Sequence, residues 1–221
     1  MSESTRRTQE VVKRRPPLWL QQVLAIDENI TKKFVIWGNS RSPLHSLRLH
    51  YRALEITCHG IPWLAFWIAF IWLFNMPNLV QLQVNMILAL LLDIVIVALV
   101  KAFFRRRRPL GNKQDAFVEI GPDQFSFPSG HCSRAALVTV IFIFLWPLPF
   151  FFFLPLLAWT TALCLSRVLM ERHYLLDVLG GVVLGIAEGI LMALLWVSED
   201  NAKWLYTIVS DEKLDGGDYH V

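Results

Sequence analysis

Residues 135–165 read AALVTVIFIFLWPLPFFFFLPLLAWTTALCL, thirty-one positions without one charged side chain. As a single helix this run would be about 46 Å long. That exceeds one bilayer crossing, which takes roughly 20 apolar residues. Pro147 and Pro149 sit near the middle, where proline removes a backbone donor and breaks a helix. The stretch therefore predicts two helices, over 131–147 and 150–169, joined by a tight Trp-Pro-Leu-Pro turn. Outward from it lie three more apolar segments of spanning length. Residues 56–74 are interrupted only by His59, Gly60 and Pro62; 84–104 carry Asp93 and Lys101; 178–197 carry Glu188. All are of helical length, so a β-barrel is excluded. The expected fold class is all-α, an integral membrane helical bundle with about five transmembrane helices.

Composition agrees. Of 221 residues, 55% are hydrophobic and 18% charged, with mean hydropathy +0.45. A soluble domain is nearer 45–50% apolar and about 25% charged. Disordered chains, coiled coils, collagen-like fibres and disulfide-stapled modules are excluded. A net charge of +3 is too small to argue for nucleic acid. Cys58, Cys132 and Cys164 form neither a zinc nor a redox pattern and are expected as small apolar residues of the bundle. Positions 1–16 are polar with no apolar stretch directly after them, so no cleaved leader is expected.

The cations are unevenly spread. Residues 1–53 hold ten Lys/Arg against four Asp/Glu, and Lys101, Arg105, Arg106, Arg107, Arg108 and Lys113 follow the second apolar segment. Residues 17–37 mix apolar clusters with Asp27, Glu28, Lys32 and Lys33, which suits an amphipathic helix lying in the interface better than a span. The expected organisation is a basic cytosolic or interfacial segment 1–53, a transmembrane domain 54–200 and an acidic tail 201–221. Five spans would gather the N-terminal segment, the loop 101–130 and the stretch 166–177 on one face. The excess of Lys/Arg there makes that face cytosolic.

Three polar clusters meet at that face: Lys101 to Arg108-Pro109; Pro128-Ser129-Gly130-His131; and Ser166-Arg167, then His173 and Asp177. Each alone has a plain structural reading, as a surface anchor, a helix start or a structural histidine. Together they suit phosphoryl transfer. Cations neutralise the oxygens of a phosphoryl group in its transition state. A helix start behind Ser129 and Gly130 offers backbone N–H groups to phosphate. A histidine nitrogen can attack phosphorus and form a covalent intermediate. His173 and Asp177, four apart, share a helical face, so the carboxylate can orient the imidazole. His131 is then the available general acid and base. No metal-binding motif occurs, and no metal or other cofactor is expected.

With these residues in view, the chain resembles the type 2 phosphatidic acid phosphatases, which share their site with vanadium haloperoxidases and bacterial acid phosphatases. The family motifs are a lysine, six residues and Arg-Pro; Pro-Ser-Gly-His; and Ser-Arg, five residues, His, three residues, Asp. Here they run Lys101 to Pro109, Pro128 to His131, and Ser166 to Asp177, complete and in order. The resemblance covers about residues 54–200. It implies a helical core of the acid phosphatase/haloperoxidase type and a metal-independent phosphohistidine mechanism. It assigns His173 as nucleophile, Asp177 as its orienter and His131 as acid/base. Lys101, Arg108, Ser129, Gly130 and Arg167 would hold the phosphate. The flanking words HGIPWL, FSFPSGHCSRAAL and LSRVLMERH look like the animal polyisoprenoid diphosphate branch, also described as presqualene diphosphate phosphatases. That likeness implies presqualene, farnesyl and geranylgeranyl diphosphates as substrates, membrane lipids as partners, and the endoplasmic reticulum or nuclear envelope as location.

Other polar residues rank lower. Asp93 and Glu188 are expected as hydrogen-bonded carboxyls inside the bundle, Arg105, Arg106 and Arg107 as headgroup or surface contacts, and Arg134 and Arg172 as assistants to the site. Trp63, Trp67 and Trp72 read as lipid-facing or belt residues. A non-catalytic membrane scaffold is the alternative function, which the intact His131, His173 and Asp177 argue against.

Overall fold

The computed structural model describes residues 17–40, 48–74, 76–109 and 124–209. Residues 1–16, Lys113 and residues 210–221 of the acidic tail lie outside them. The described residues are helical, with an isolated bridge between Arg107 and Phe125 and no named strand.

In chain order the helices are α1 (Leu18–Ser40), α2 (Arg48–Thr57), α3 (Gly60–Leu73), α4 (Val80–Phe104), α5 (Gly130–Val140), α6 (Phe153–Leu169), α7 (Leu175–Leu195) and α8 (Glu199–Val209). Three helical stretches are long and apolar enough to cross a bilayer: Pro77–Phe104, Phe150–Leu169 and Leu175–Leu195. The α2–α3 pair, bent by 50° at Cys58-His59, makes a fourth if it counts as one span. The fifth expected span is shorter: α5 runs into a π-helical turn, Ile141–Leu145, that closes with Trp146 N–H donating to the Ile141 carbonyl. The expected break follows at Pro147-Leu148-Pro149, and a 3₁₀ turn, Phe150–Phe152, starts the return. The expected domain boundaries at 53/54 and 200/201 fall within α2 and α8.

Large apolar side chains face outward, and the charged residues within the spanning helices are turned inside, as suits a bilayer solvent. Phe103, Phe150 and Leu194 are each at least 80% exposed, whereas Asp93, Lys101, Arg167, Asp177 and Glu188 are buried. One apolar core joins Trp67 of α3, Met86, Ala89 and Leu90 of α4, Leu137 and Val138 of α5, and Met192 of α7. Trp67 is thus a core residue and not the lipid-facing one expected; Trp72 is 77% exposed, and Trp63 stacks on Trp159.

The closest pairing is α5 against α7. Gly181, Gly185 and Gly189 recur every four residues on α7, and a Cβ at Gly185 would overlap the Ser133 carbonyl of α5. Small residues at this spacing let two membrane helices approach backbone to backbone. That approach fixes the start of α5, with Ser129 and His131, against the start of α7, with Asp177.

α1 has the inverse of a soluble amphipathic pattern. Trp19, Val23, Ile26, Ile30 and Trp37 are exposed, while Asp27, Thr31, Val35 and Gly38 are buried. Its apolar face suits the membrane interface; its buried face packs on α6 and α7.

Candidate active site

His173 lies in the short connection between α6 and α7. Glu171, at φ 56°, takes the left-handed conformation that turns the chain off the end of α6, and the amides of Arg172 and His173 both donate to the Arg167 carbonyl. This tight reversal carries His173 back into the bundle, where it is 3% exposed. Its Nδ1 is 2.8 Å from the Ser126 carbonyl oxygen. A carbonyl can only accept, so Nδ1 carries the proton and Nε2 keeps its lone pair.

Asp177 is four residues on, in the first turn of α7. Its Oδ2 is 3.9 Å from His173 Nδ1, beyond hydrogen-bond length. Its oxygens instead accept from Arg106 Nη1 at 2.7 Å and from the Tyr174 amide at 2.9 Å. Where the sequence suggested Asp177 as the direct partner of the imidazole, the Ser126 carbonyl occupies that position.

Arg106, expected at the surface, is in fact largely buried between two carboxylates. Nη2 is 2.6 Å from Asp27 and Nη1 is 2.7 Å from Asp177, with the guanidinium over the Tyr174 ring. Its carbonyl also accepts from the Ser126 amide at 2.8 Å. Arg105, by contrast, is exposed, adopts φ 49° where α4 stops, and bonds back to Ala102.

The cations expected to hold phosphate lie within electrostatic range of His173. Burial, then Arg108, Lys101 and Arg167, hold its imidazole well below the ordinary histidine range, opposed by the hydrogen bond to Ser126. Lys101 is buried at the end of α4. Arg167 is fully enclosed, pairing with Glu55 at 3.1 Å and donating to the Tyr51 carbonyl. Arg172 is also buried, and burial lowers its pKa, opposed by Glu55.

The second motif opens α5. Ser129 is its N-cap, with the side chain not capping the helix, and its amide donates to the Asp177 carbonyl. The amides of Gly130, His131 and Cys132 therefore precede the first intrahelical bond, Ser133 to Ser129. Ser129 Oγ and His131 Nε2 are buried without a hydrogen-bond partner among the described residues. Buried polar atoms are rarely left so, and both residues stand at a helix start, the kind of place that can hold a phosphate. His131 lies within electrostatic range of Arg167 and His173.

Four residues of this region were not singled out from the sequence: Asp27, Glu55, Ser126 and His59. His59, at the α2–α3 bend, has its ring centroid 5.9 Å from that of His131. Cys58 beside it donates to the His131 carbonyl, and its own carbonyl accepts from Arg134. Arg134 in turn pairs with Asp93 at 2.6 Å, and Ser133 donates to Glu188. Both carboxyls are thus hydrogen-bonded inside the bundle. Among the described residues no group of three or more His, Cys, Asp and Glu is placed to hold a metal ion.

The family model described as the PAP2 superfamily matches residues 82–200. A probable lipid phosphate phosphatase beta of Arabidopsis thaliana is 33% identical over an alignment of 141 residues that covers 52% of this chain and 65% of that protein. The structure of LpxE from Aquifex aeolicus is similar with a TM-score of 0.54, over 74% of this chain and 93% of that one, at 22% identity. At that identity the likeness speaks to the fold.

Proposed function

The chain belongs to the PAP2 superfamily, and from that premise we propose that it is a membrane-embedded phosphatase of lipid phosphates acting through a phosphohistidine. The observation that carries this reading is the state of His173. Its Nδ1 is 2.8 Å from the Ser126 carbonyl, which can only accept and so leaves Nε2 its electron pair, and Arg108, Lys101 and Arg167 lie within electrostatic range.

In the first step Nε2 of His173 attacks the terminal phosphorus, a P–N bond forms and the P–O bond to the leaving group breaks, that group being the lipid alcohol of a monophosphate or the lipid monophosphate of a diphosphate. His131 gives a proton to the leaving oxygen. In the second step His131 takes a proton from water, the hydroxide attacks phosphorus, and the P–N bond breaks to release inorganic phosphate. Lys101, Arg108, Arg167, the Ser129 hydroxyl and the amides from Gly130 onward stabilise the oxygens that gain charge. Neither step requires a metal ion.

The substrates favoured are polyisoprenoid diphosphates and monophosphates. Support for this comes from the sequence words around the motifs, and from an apolar surface that keeps the hydrocarbon in the membrane while the headgroup enters. The name of the Arabidopsis relative supports the broader lipid phosphate class. We place the site and the N-terminus on one face, the cytosolic side of the endoplasmic reticulum or nuclear envelope. The cation-rich segment 1–53 and the packing of α1 on α6 and α7 support this arrangement.

Purified protein supplied with farnesyl diphosphate in micelles containing EDTA should release phosphate, and rapid quenching should trap an acid-labile phosphoenzyme. Undiminished phosphate release from His173→Ala would refute the reading. Protease protection of the N-terminus in sealed microsomes tests the orientation.

A further inference from the structure

The family match begins at residue 82, yet α1, more than forty residues upstream, reaches the catalytic region with side chains at its two buried polar positions. Asp27 Oδ1 accepts from the Leu176 amide at 3.1 Å and Thr31 Oγ1 from the Leu175 amide at 3.1 Å. These are two of the open N–H groups at the start of α7, and α1 caps them from outside the helix. The hydroxyl of Thr31 is itself 3.5 Å from Asp27 Oδ1. The other oxygen of Asp27 holds Arg106 at 2.6 Å.

Arg106 then has two outputs. Its side chain holds Asp177, and its backbone carbonyl holds the Ser126 amide, the residue whose own carbonyl accepts the His173 proton. The path from α1 to the imidazole is thus Asp27, Arg106, Ser126, His173, with Asp177 as a branch. A guanidinium fork can satisfy two carboxylates at once in a fixed plane. With one carboxylate removed, it keeps one anchor and is free to swing about it.

We propose that Asp27 is a positioning residue for His173, acting through Arg106, so that α1 is part of the support of the reaction centre and not only an interfacial anchor. The inference rests on the phosphohistidine reading for its rate effects, and on geometry alone for its effect on the imidazole. In Asp27→Ala both the cap on α7 and the Arg106 tether are lost. In Asp27→Asn an acceptor for the Leu176 amide is kept, while the charge that fixes Arg106 is lost.

The test uses full-length protein in detergent. Misplacing a reacting group by an ångström costs about 100-fold in rate; kcat of Asp27→Ala and Asp27→Asn should fall toward that scale while KM stays near the wild-type value. Arg106→Ala should show the same loss, and adding Asp27→Asn to it, which keeps the cap on α7, should cause no further loss, as for residues in one path. Independently of turnover, ¹⁵N-histidine spectra, with His173 assigned by subtraction of His173→Asn, should show a protonated Nδ1 in the wild type and a mixed tautomer in Asp27→Asn. An unchanged His173 signal in Asp27→Asn overturns the proposal, whether kcat is retained or falls only with the folded fraction in a thermal melt. If the wild type releases no phosphate from any lipid phosphate, the phosphatase reading fails, while the spectra still decide the positioning role.

Discussion

The Nδ1 atom of His173 lies 2.8 Å from the carbonyl oxygen of Ser126. This contact, made by main chain and not by a carboxylate, leaves Nε2 as the imidazole nitrogen with a free electron pair. Asp177 stands behind it at 3.9 Å. Asp177→Asn should therefore lower kcat by about 10–100-fold, the scale of an outer-shell orienter. A direct carboxylate partner in a triad carries about ten-thousand-fold. Steady-state kinetics on one lipid phosphate decide between them, and an Asn variant as inactive as His173→Ala would count against this geometry.

The pH profile follows from the same residue. Burial and the cations Arg108, Lys101 and Arg167 depress the His173 pKa, so its neutral imidazole persists to lower pH than a free one. The acid limb of kcat/KM, which reports the free enzyme, should fall below the ordinary histidine value of about 6.5. Arg108→Gln removes a positive neighbour, raises the pKa and should move that limb to higher pH, besides lowering the rate. A limb that stays in place in Arg108→Gln would show that Arg108 does not face the imidazole.

Neighbouring arginines should differ sharply. Arg105→Gly relieves a left-handed residue and removes only an exposed bond to Ala102; its activity should match wild type. Arg106→Ala strips a partner from two buried carboxylates, a loss on the order of 3–5 kcal/mol when a buried pair is broken. Thermal melts and phosphate release on the two variants check this contrast, and equal behaviour would contradict it.

The Asp93–Arg134 pair gives a stability test. Both side chains are buried at 2.6 Å, so Asp93→Ala should cost about 3–5 kcal/mol by leaving a cation unpaired. Replacing both together, as Asp93→Leu with Arg134→Met, should recover much of that loss. Denaturant titration in a fixed detergent measures it; a double variant no more stable than Asp93→Ala would mean the pair is held for another reason.

The three motifs were legible because each is local. Lys101 to Pro109, Pro128 to His131 and Ser166 to Asp177 fall at helix ends that apolar length and proline already marked. The break at Pro147-Leu148-Pro149 was equally plain. Arg106 was misread because its three neighbours have identical chemistry, and α4 ends at Arg105 in a left-handed turn, after which helical periodicity no longer says where a side chain points. Trp67 was misread because α3 is apolar on every side, which hides the face that packs inward. Asp27 gave no signal at all: it meets Leu176 across 149 residues of chain, and a polar stripe on a helix ordinarily marks the solvent side.

Sequence alone determined that this chain is a helical membrane protein and which residue types stand at the ends of its helices, since bilayer thickness and proline act through local composition. Only the tertiary structure decided which cation meets which carboxylate, and that α1 turns its polar stripe inward to Arg106 and α7. In a low-dielectric interior every buried charge needs a partner, and the partner is whatever group helix packing brings within about 3 Å, however distant along the chain.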